Sequence, residues 1–225
     1  MSRPLTTDQP DRTVELDARA RAGRFLLARL GSLLALLPVG VWTAHHLWNS
    51  LAAFDSPGAW QGAVTGYTST ATAVLTMVLV LGPLLWHTIW GIIRMLRSRP
   101  SPDIARLSNV RYIVQRLAAI GLLLFLGAHL WLAWAQPRFF QGRPEPFADI
   151  AHEMRHTWAT TLVYVLGVLA IAYHLANGLW SFAMGWGITV SKRGLAWAER
   201  IAFVVFMALL AVGWSAVYAL WRAGA

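Results

Sequence analysis

Cysteine is absent from the 225 residues. That excludes disulfides, thiolate zinc sites and an iron–sulfur cluster ligated by cysteines of this chain. The same absence excludes covalent haem attachment through Cys-x-x-Cys-His. Charge is scarce too: 13% of residues are charged, where a soluble domain carries about 25%. Acids are the rarer sign, 10 Asp and Glu against 19 Lys and Arg. No acid falls within a long apolar run, since Asp55 and Glu199 stand in or beside loops. A transporter moving protons or metal ions would want carboxylates or broken helices at mid-membrane depth.

What is present is apolar: 57% of the residues are hydrophobic, gathered into five long runs. A hydrocarbon core takes roughly 20 helical residues to cross, so each run can span it. The expected spans cover about 25–51, 70–96, 104–135, 157–190 and 195–221. Pro38 and Pro83 should bend the first two, because each removes a backbone donor. The fold class is therefore all-α and integral to a membrane. Residues 1–24 form a polar N-terminal segment on the cytoplasmic side, and residues 25–222 form the transmembrane domain.

The net charge of +9 could suggest nucleic acid, but its placement argues for membrane topology instead. Arg3, Arg12, Arg19, Arg21, Arg24 and Arg29 lie in or before the start of the first run. Arg94, Arg97, Arg99, Arg106, Arg111 and Arg116 flank the connection between runs two and three. Lys192, Arg193 and Arg200 follow run four. Five crossings put all of these on one side and leave only Arg138, Arg143, Arg155 and Arg222 on the other. Positive charge stays inside, so the N-terminus is cytoplasmic and the C-terminus outside. Tryptophans near the span ends suit an aromatic belt. The first run is not followed by a small-residue cleavage site, which makes it a retained span rather than a signal peptide.

Four runs each carry a histidine at membrane depth: His46, His87, His129 and His174. Depth follows from the helical rise. His46 stands about 25 Å above Arg29, and His129 about 27 Å above Arg111. His87 stands about 10 Å from Arg94, and His174 about 16 Å from Gly185. Two levels result, an outer pair His46 and His129 and an inner pair His87 and His174. Facing imidazoles at one level can hold one haem iron from both sides. A buried histidine on its own is more often an interhelical hydrogen bond. Four of them, one per helix and matched in depth, point to two non-covalent haems b. The chain then reads as a four-helix haem cage with a fifth helix beside it. Gly82, Gly91, Gly121, Gly127, Gly167 and Gly178 would let helices or a flat macrocycle approach, though they serve plain helix packing equally well. His45 neighbours His46, about 100° away around the helix, and periodicity does not decide between them.

One other motif matches a known chemistry. His152-Glu153-Met154-Arg155-His156 fits the H-E-x-x-H pattern of zinc proteases. A third ligand is missing, and His174 is roughly 27 Å further along a helix. The segment reads instead as a polar, amphipathic entry to the fourth span.

These stretches resemble one family, the five-helix di-haem cytochrome b subunits of succinate:menaquinone oxidoreductases. RLGSLLALLPVGVWTAHHL (29–47), GPLLWHTIWG (82–91), NVRYIVQRLAAIGLLLFLGAHLW (109–131) and YHLANGLWSFAMGWGITVS (173–191) are similar to its first four helices. The resemblance implies the ligands His46 and His129 for the distal haem, and His87 and His174 for the proximal one. It implies a flavoprotein with covalent FAD, an iron–sulfur protein docked at the inner face, and reduction of menaquinone or another quinone. It also puts Arg29, Ser32, Gln115 and Arg116 where haem propionates or quinone could be reached. Arginine pairs with carboxylates, while basic residues here equally suit snorkelling to the inner surface. Without a flavin motif the chain would not oxidise succinate by itself. It would be the electron-transfer and quinone-reducing subunit of a bacterial cytoplasmic-membrane complex, surrounded by lipid and without nucleic acid. Quinol:fumarate reductase anchors look similar in fold, as would a di-haem subunit of another quinone-linked dehydrogenase. The lack of carboxylates within the spans favours succinate oxidation. Whether such complexes join into higher oligomers stays open at this point.

Overall fold

A computed structural model gives the structure of the chain and describes residues 9–66, 69–97 and 107–225. The expected inner loop at 98–103 lies outside the described residues, as do Arg3, Arg99 and Arg106. Every regular element among the described residues is helical. Five helical segments are long and apolar enough to cross a membrane: Val14–Phe54, Thr70–Arg97, Val110–Phe140, Trp158–Gly185 and Lys192–Ala223. The protein is a multi-pass membrane protein.

The first span joins α1 (Gln9–Leu34) to α2 (Val41–Ser50) through a π turn at Ala35–Gly40 that contains Pro38. The bend expected at Pro38 takes this form. A proline ring collides with the carbonyl four residues earlier, and a widened turn makes room for it. From Gln9 onward the polar N-terminal stretch belongs to the same helix as the start of the first span. A 3₁₀ turn, Leu51–Phe54, ends the span. The outer connection then forms α3 (Pro57–Trp60), whose first turn is capped by the Ser56 hydroxyl accepting from the Ala59 N–H at 3.1 Å.

The second span repeats the device. It runs through α4 (Thr70–Thr76), a π turn at Met77–Leu81, and α5 (Gly82–Arg97), with Pro83 just after the widened turn. The third span is α6 (Leu107–His129), then a π turn at Leu130–Ala135, then α7 (Gln136–Phe140). Pro137 was expected in the outer loop. It instead continues the helix, again just beyond a π turn.

The outer connection also departs from expectation. Phe147–His156, expected within the connection as a polar entry to the fourth span, is a helix of its own, α8. Thr157 breaks it from α9 (Trp158–Gly185), with an extended backbone at φ −113° and ψ 93°. The fourth span ends earlier than expected. Gly187 adopts φ +69°, the left-handed conformation that closes helices without a Cβ penalty. After it, Ser191 caps α10 (Lys192–Ala223) by accepting from the Gly194 N–H at 3.0 Å.

The fifth span packs along the fourth through small residues. Ala172 and Ala176 of α9 and Ala202, Gly213 and Ala216 of α10 are buried. Short side chains let two backbones approach, which is how helices associate in lipid. The outer end is closed by a lid. The apolar face of α8, with Phe147, Ile150, Ala151 and Met154, joins Leu210, Val217 and Leu220 of α10 and Trp60 of α3 in one core. Burying Met154 completely is worth about 1.5–3 kcal/mol. Gln61 ties the lid down. Its amide donates to the Glu145 carbonyl at 2.9 Å and accepts from the Phe147 N–H at 2.9 Å.

Candidate haem-binding site

The helices turn the four membrane-depth histidines toward one another in the pairs that depth gives. His46 from α2 meets His129 at the end of α6, with ring centres 6.1 Å apart and planes at 64°. His87 from α5 meets His174 from α9, with ring centres 6.1 Å apart and planes at 73°. The two pairs share one dimension. Imidazoles binding one metal from opposite sides, at about 2 Å per bond, put their ring centres about 6 Å apart. Two imidazoles hydrogen-bonded directly or stacked would sit closer. The residues present would therefore fit an iron held between two imidazoles at each level.

Each ring is oriented by its surroundings. Tyr164 Oη of α9 lies 3.1 Å from His129 Nδ1. The Gln115 amide of α6 lies 3.1 Å from His174 Nδ1, and Asn177 holds that amide at 3.0 Å. His87 lies close to the Gly31 backbone of α1. Such partners fix which nitrogen faces inward. At the outer level two aromatic rings add support one helical turn before the histidines. Trp42 stacks on His46 at 4.8 Å with planes 7° apart. Phe125 stacks on His129 at 5.5 Å with planes 16° apart.

The inner level differs. Gly91 and Gly178 follow His87 and His174 by one turn, on the same helical faces. A Cβ added at either would meet nothing within 4 Å. Glycine there leaves room beside the imidazole for the edge of a flat ring. Gly167 has the other role that small residues serve. Its missing Cβ makes way for the Phe125 ring, which a Cβ there would run into.

Of the four residues that the resemblance places at propionates or quinone, Gln115 touches one of the paired histidines, His174. Ser32 donates to the Arg29 carbonyl at 2.8 Å and accepts from Trp186 Nε1 at 3.1 Å. The Arg29 guanidinium lies 4.6 Å from the Phe25 ring centre and 5.8 Å from that of Trp186. Arg29, Ser32 and Trp186 cluster where the first and fourth spans reach the inner side. Arg116 donates to the Met95 carbonyl of α5 at 2.7 Å and covers the Tyr112 ring.

The structure settles the choice at the doublet: His46 is the one that faces His129, while His45 is exposed and lies 3.4 Å from the Asn49 amide. His152 and His156 lie together on α8 with ring centres 4.4 Å apart. Asp149 pairs with Arg143. Among the described residues, no cluster of three or more His, Cys, Asp or Glu side chains is arranged to hold a metal ion. The H-E-x-x-H run thus has a helix but no third ligand.

Sequence reasoning missed Tyr164, Trp42, Phe125 and Asn177. For two of them a signal existed: Trp42 and Phe125 each precede a histidine by four residues, the spacing that makes helical neighbours. Tyr164 reaches its histidine from a different helix, and no spacing within the sequence encodes that contact.

Fold and site together define a class: a five-span membrane protein with two stacked pairs of facing histidines inside a four-helix bundle. The chain is similar to the succinate dehydrogenase cytochrome b558 subunit of Bacillus subtilis (strain 168), 29% identical over 197 residues. The similarity covers 87% of this chain and 96% of that protein. The resemblance read from the histidine-bearing stretches thus extends over most of both chains. No protein-family model matches the chain, and no solved structure matches it.

Proposed function

We propose that the chain is the cytochrome b membrane anchor of a succinate:quinone oxidoreductase in a bacterial cytoplasmic membrane. It holds two haems b, the inner by His87 and His174 and the outer by His46 and His129. The observation that carries this reading is the repeated 6.1 Å separation of facing imidazoles at two levels. Bound haem iron takes up and releases one electron at a time, so two levels make a path across the membrane. The similarity to a named succinate dehydrogenase cytochrome subunit, over most of both chains, supports the same reading.

The chain's own residues do the holding and orienting. Side chains of neighbouring helices engage Nδ1 of His129 and of His174, and aromatic rings back His46 and His129. The bundle and the lid of α8 shield the outer pair from water. Arg29, Ser32 and Arg116, near the inner ends of the spans, supply the donors and positive charge that anionic propionates or a quinone carbonyl would use. A flavoprotein and an iron–sulfur protein supply electrons at the inner face, and menaquinone or another quinone removes them. The spans carry no carboxylates in their apolar middle, which favours succinate oxidation as the direction.

The test is purification from native membranes through a tag on this chain. Covalent flavin, iron–sulfur signals and succinate-reducible haem b should co-purify. A haem-bearing chain that purifies with no flavoprotein, and whose haem succinate does not reduce, would contradict the proposal.

A further inference from the structure

We infer that the third and fourth spans clamp each other's haem ligands: Tyr164 of α9 positions His129 of α6, and Gln115 of α6 positions His174 of α9. The inference rests on the haem reading above and adds residues that act through the ligands. Both contacts measure 3.1 Å and both end on Nδ1. In each case Nε2 is the ring nitrogen that remains for a ligand bond. The arrangement is reciprocal, because each helix carries the ligand of one level and the orienting group of the other.

The chemistry follows from proton placement. An imidazole giving its Nε2 lone pair to iron keeps its proton on Nδ1, so the partner has to accept. The Tyr164 oxygen can accept directly. A carboxamide exchanges its donor and acceptor ends without moving its atoms. Here Gln115 Nε2 lies 3.1 Å from His174 Nδ1 and donates to the His174 carbonyl at 3.2 Å, while Asn177 Nδ2 donates to Gln115 Oε1 at 3.0 Å. Accepting from a protonated Nδ1 takes both amides the other way round, so that Gln115 Nε2 donates to the Asn177 oxygen and gives up the His174 carbonyl. An acceptor at Nδ1 makes the imidazole a stronger electron donor. That favours the ferric state and lowers the reduction potential at that level alone. The two helices are thereby tied in register and rotation, since a slide or twist of one would pull both ligands out of line.

The two levels are set apart by their acceptors. A phenol serves the outer pair, within the aromatic group of Phe125 and Trp42. A carboxamide serves the inner pair, beside open glycine faces.

The experiment is a redox titration of the purified complex, followed by optical spectra and by the low-spin ferric resonance signals. The levels are first assigned from His46→Ala and His87→Ala. Tyr164→Phe removes one oxygen and keeps the ring. Gln115→Met removes the amide and keeps the length, while Gln115→Glu keeps an acceptor at the same reach. The expected result is a raised midpoint for the outer haem only in Tyr164→Phe, and for the inner haem only in Gln115→Met. Gln115→Glu should return the inner midpoint to the wild-type value or below it. Unchanged midpoints with both haems retained would overturn the clamp and leave the haem reading intact. Equal shifts at both levels would overturn it as well, as would haem loss in Gln115→Met and Gln115→Glu alike, since these show packing alone. A wild-type protein without haem would defeat the reading on which the clamp rests.

Discussion

At the scale of single residues, adjacent side chains have unlike fates. His45 and His46 are chemically identical, yet one faces His129 and the other is exposed. The doublet could not be resolved from sequence because its orientation depends on helix rotation, and the π turn at Ala35–Gly40 resets that rotation upstream. The depth of each histidine was legible, because rise per residue is nearly constant. The facing direction was not. Glycines show the same limit. Gly167 and Gly178 looked alike in sequence, but one lies against the Phe125 ring and the other beside open space. Gly167→Ala should therefore cost about 1–3 kcal/mol through overpacking. It should also disturb the outer haem, because Phe125 stacks on His129. Thermal unfolding in detergent, with the outer haem's spectrum as a second readout, checks this. Gly23→Ala, within α1 and where a Cβ would meet nothing within 4 Å, should have the opposite sign and stabilise by about 0.5–1 kcal/mol.

At the scale of elements, three of the five spans contain a π turn, and each turn contains or closely precedes a proline. Bends at Pro38 and Pro83 could be foreseen because a helical proline removes a donor. The turn at Leu130–Ala135 could not, because Pro137 falls among loop-like residues and its neighbours gave no sign that the helix continues. The start of the fourth span at Thr157 was legible, but the separate helix α8 before it was equally hidden, since its amphipathic pattern reads as an entry to that span. A π turn holds about one residue more than an α turn. Deleting Val78, an exposed residue within Met77–Leu81, should relax that turn to α geometry and keep His87 in place. Deleting Leu124, exposed on the regular helix α6, should rotate His129 by about 100° relative to the inner half of the span. Haem content per chain distinguishes the two: near wild type for the first deletion, loss of the outer haem for the second.

At the scale of the molecule, the alternation of spans puts the clusters of positive charge on one side and the lid of α8 on the other. Arg111 and Glu199 join the third and fifth spans on the basic side, and Arg155 covers Trp221 at 3.7 Å on the opposite side. This part of the fold was the most legible, since charge placement and run length follow from the cost of burying charge in hydrocarbon. The absence of cysteine makes topology directly measurable. A single cysteine at Arg143→Cys should react with a membrane-impermeant maleimide on intact cells, and one at Arg193→Cys only after permeabilisation. The reverse pattern would invert the chain and the electron path with it.

The central claim is that two pairs of histidines hold two haems at two levels. The most direct measurement is a reduced-minus-oxidised spectrum with haem quantitation per chain, for wild type and for His46→Ala, His129→Ala, His87→Ala, His174→Ala and His45→Ala. The account predicts two haems b in the wild type and in His45→Ala. It predicts loss of the outer haem's signal in the first two variants and of the inner haem's signal in the next two. A folded wild type with no haem, or one whose haem content is indifferent to these four histidines, would contradict it.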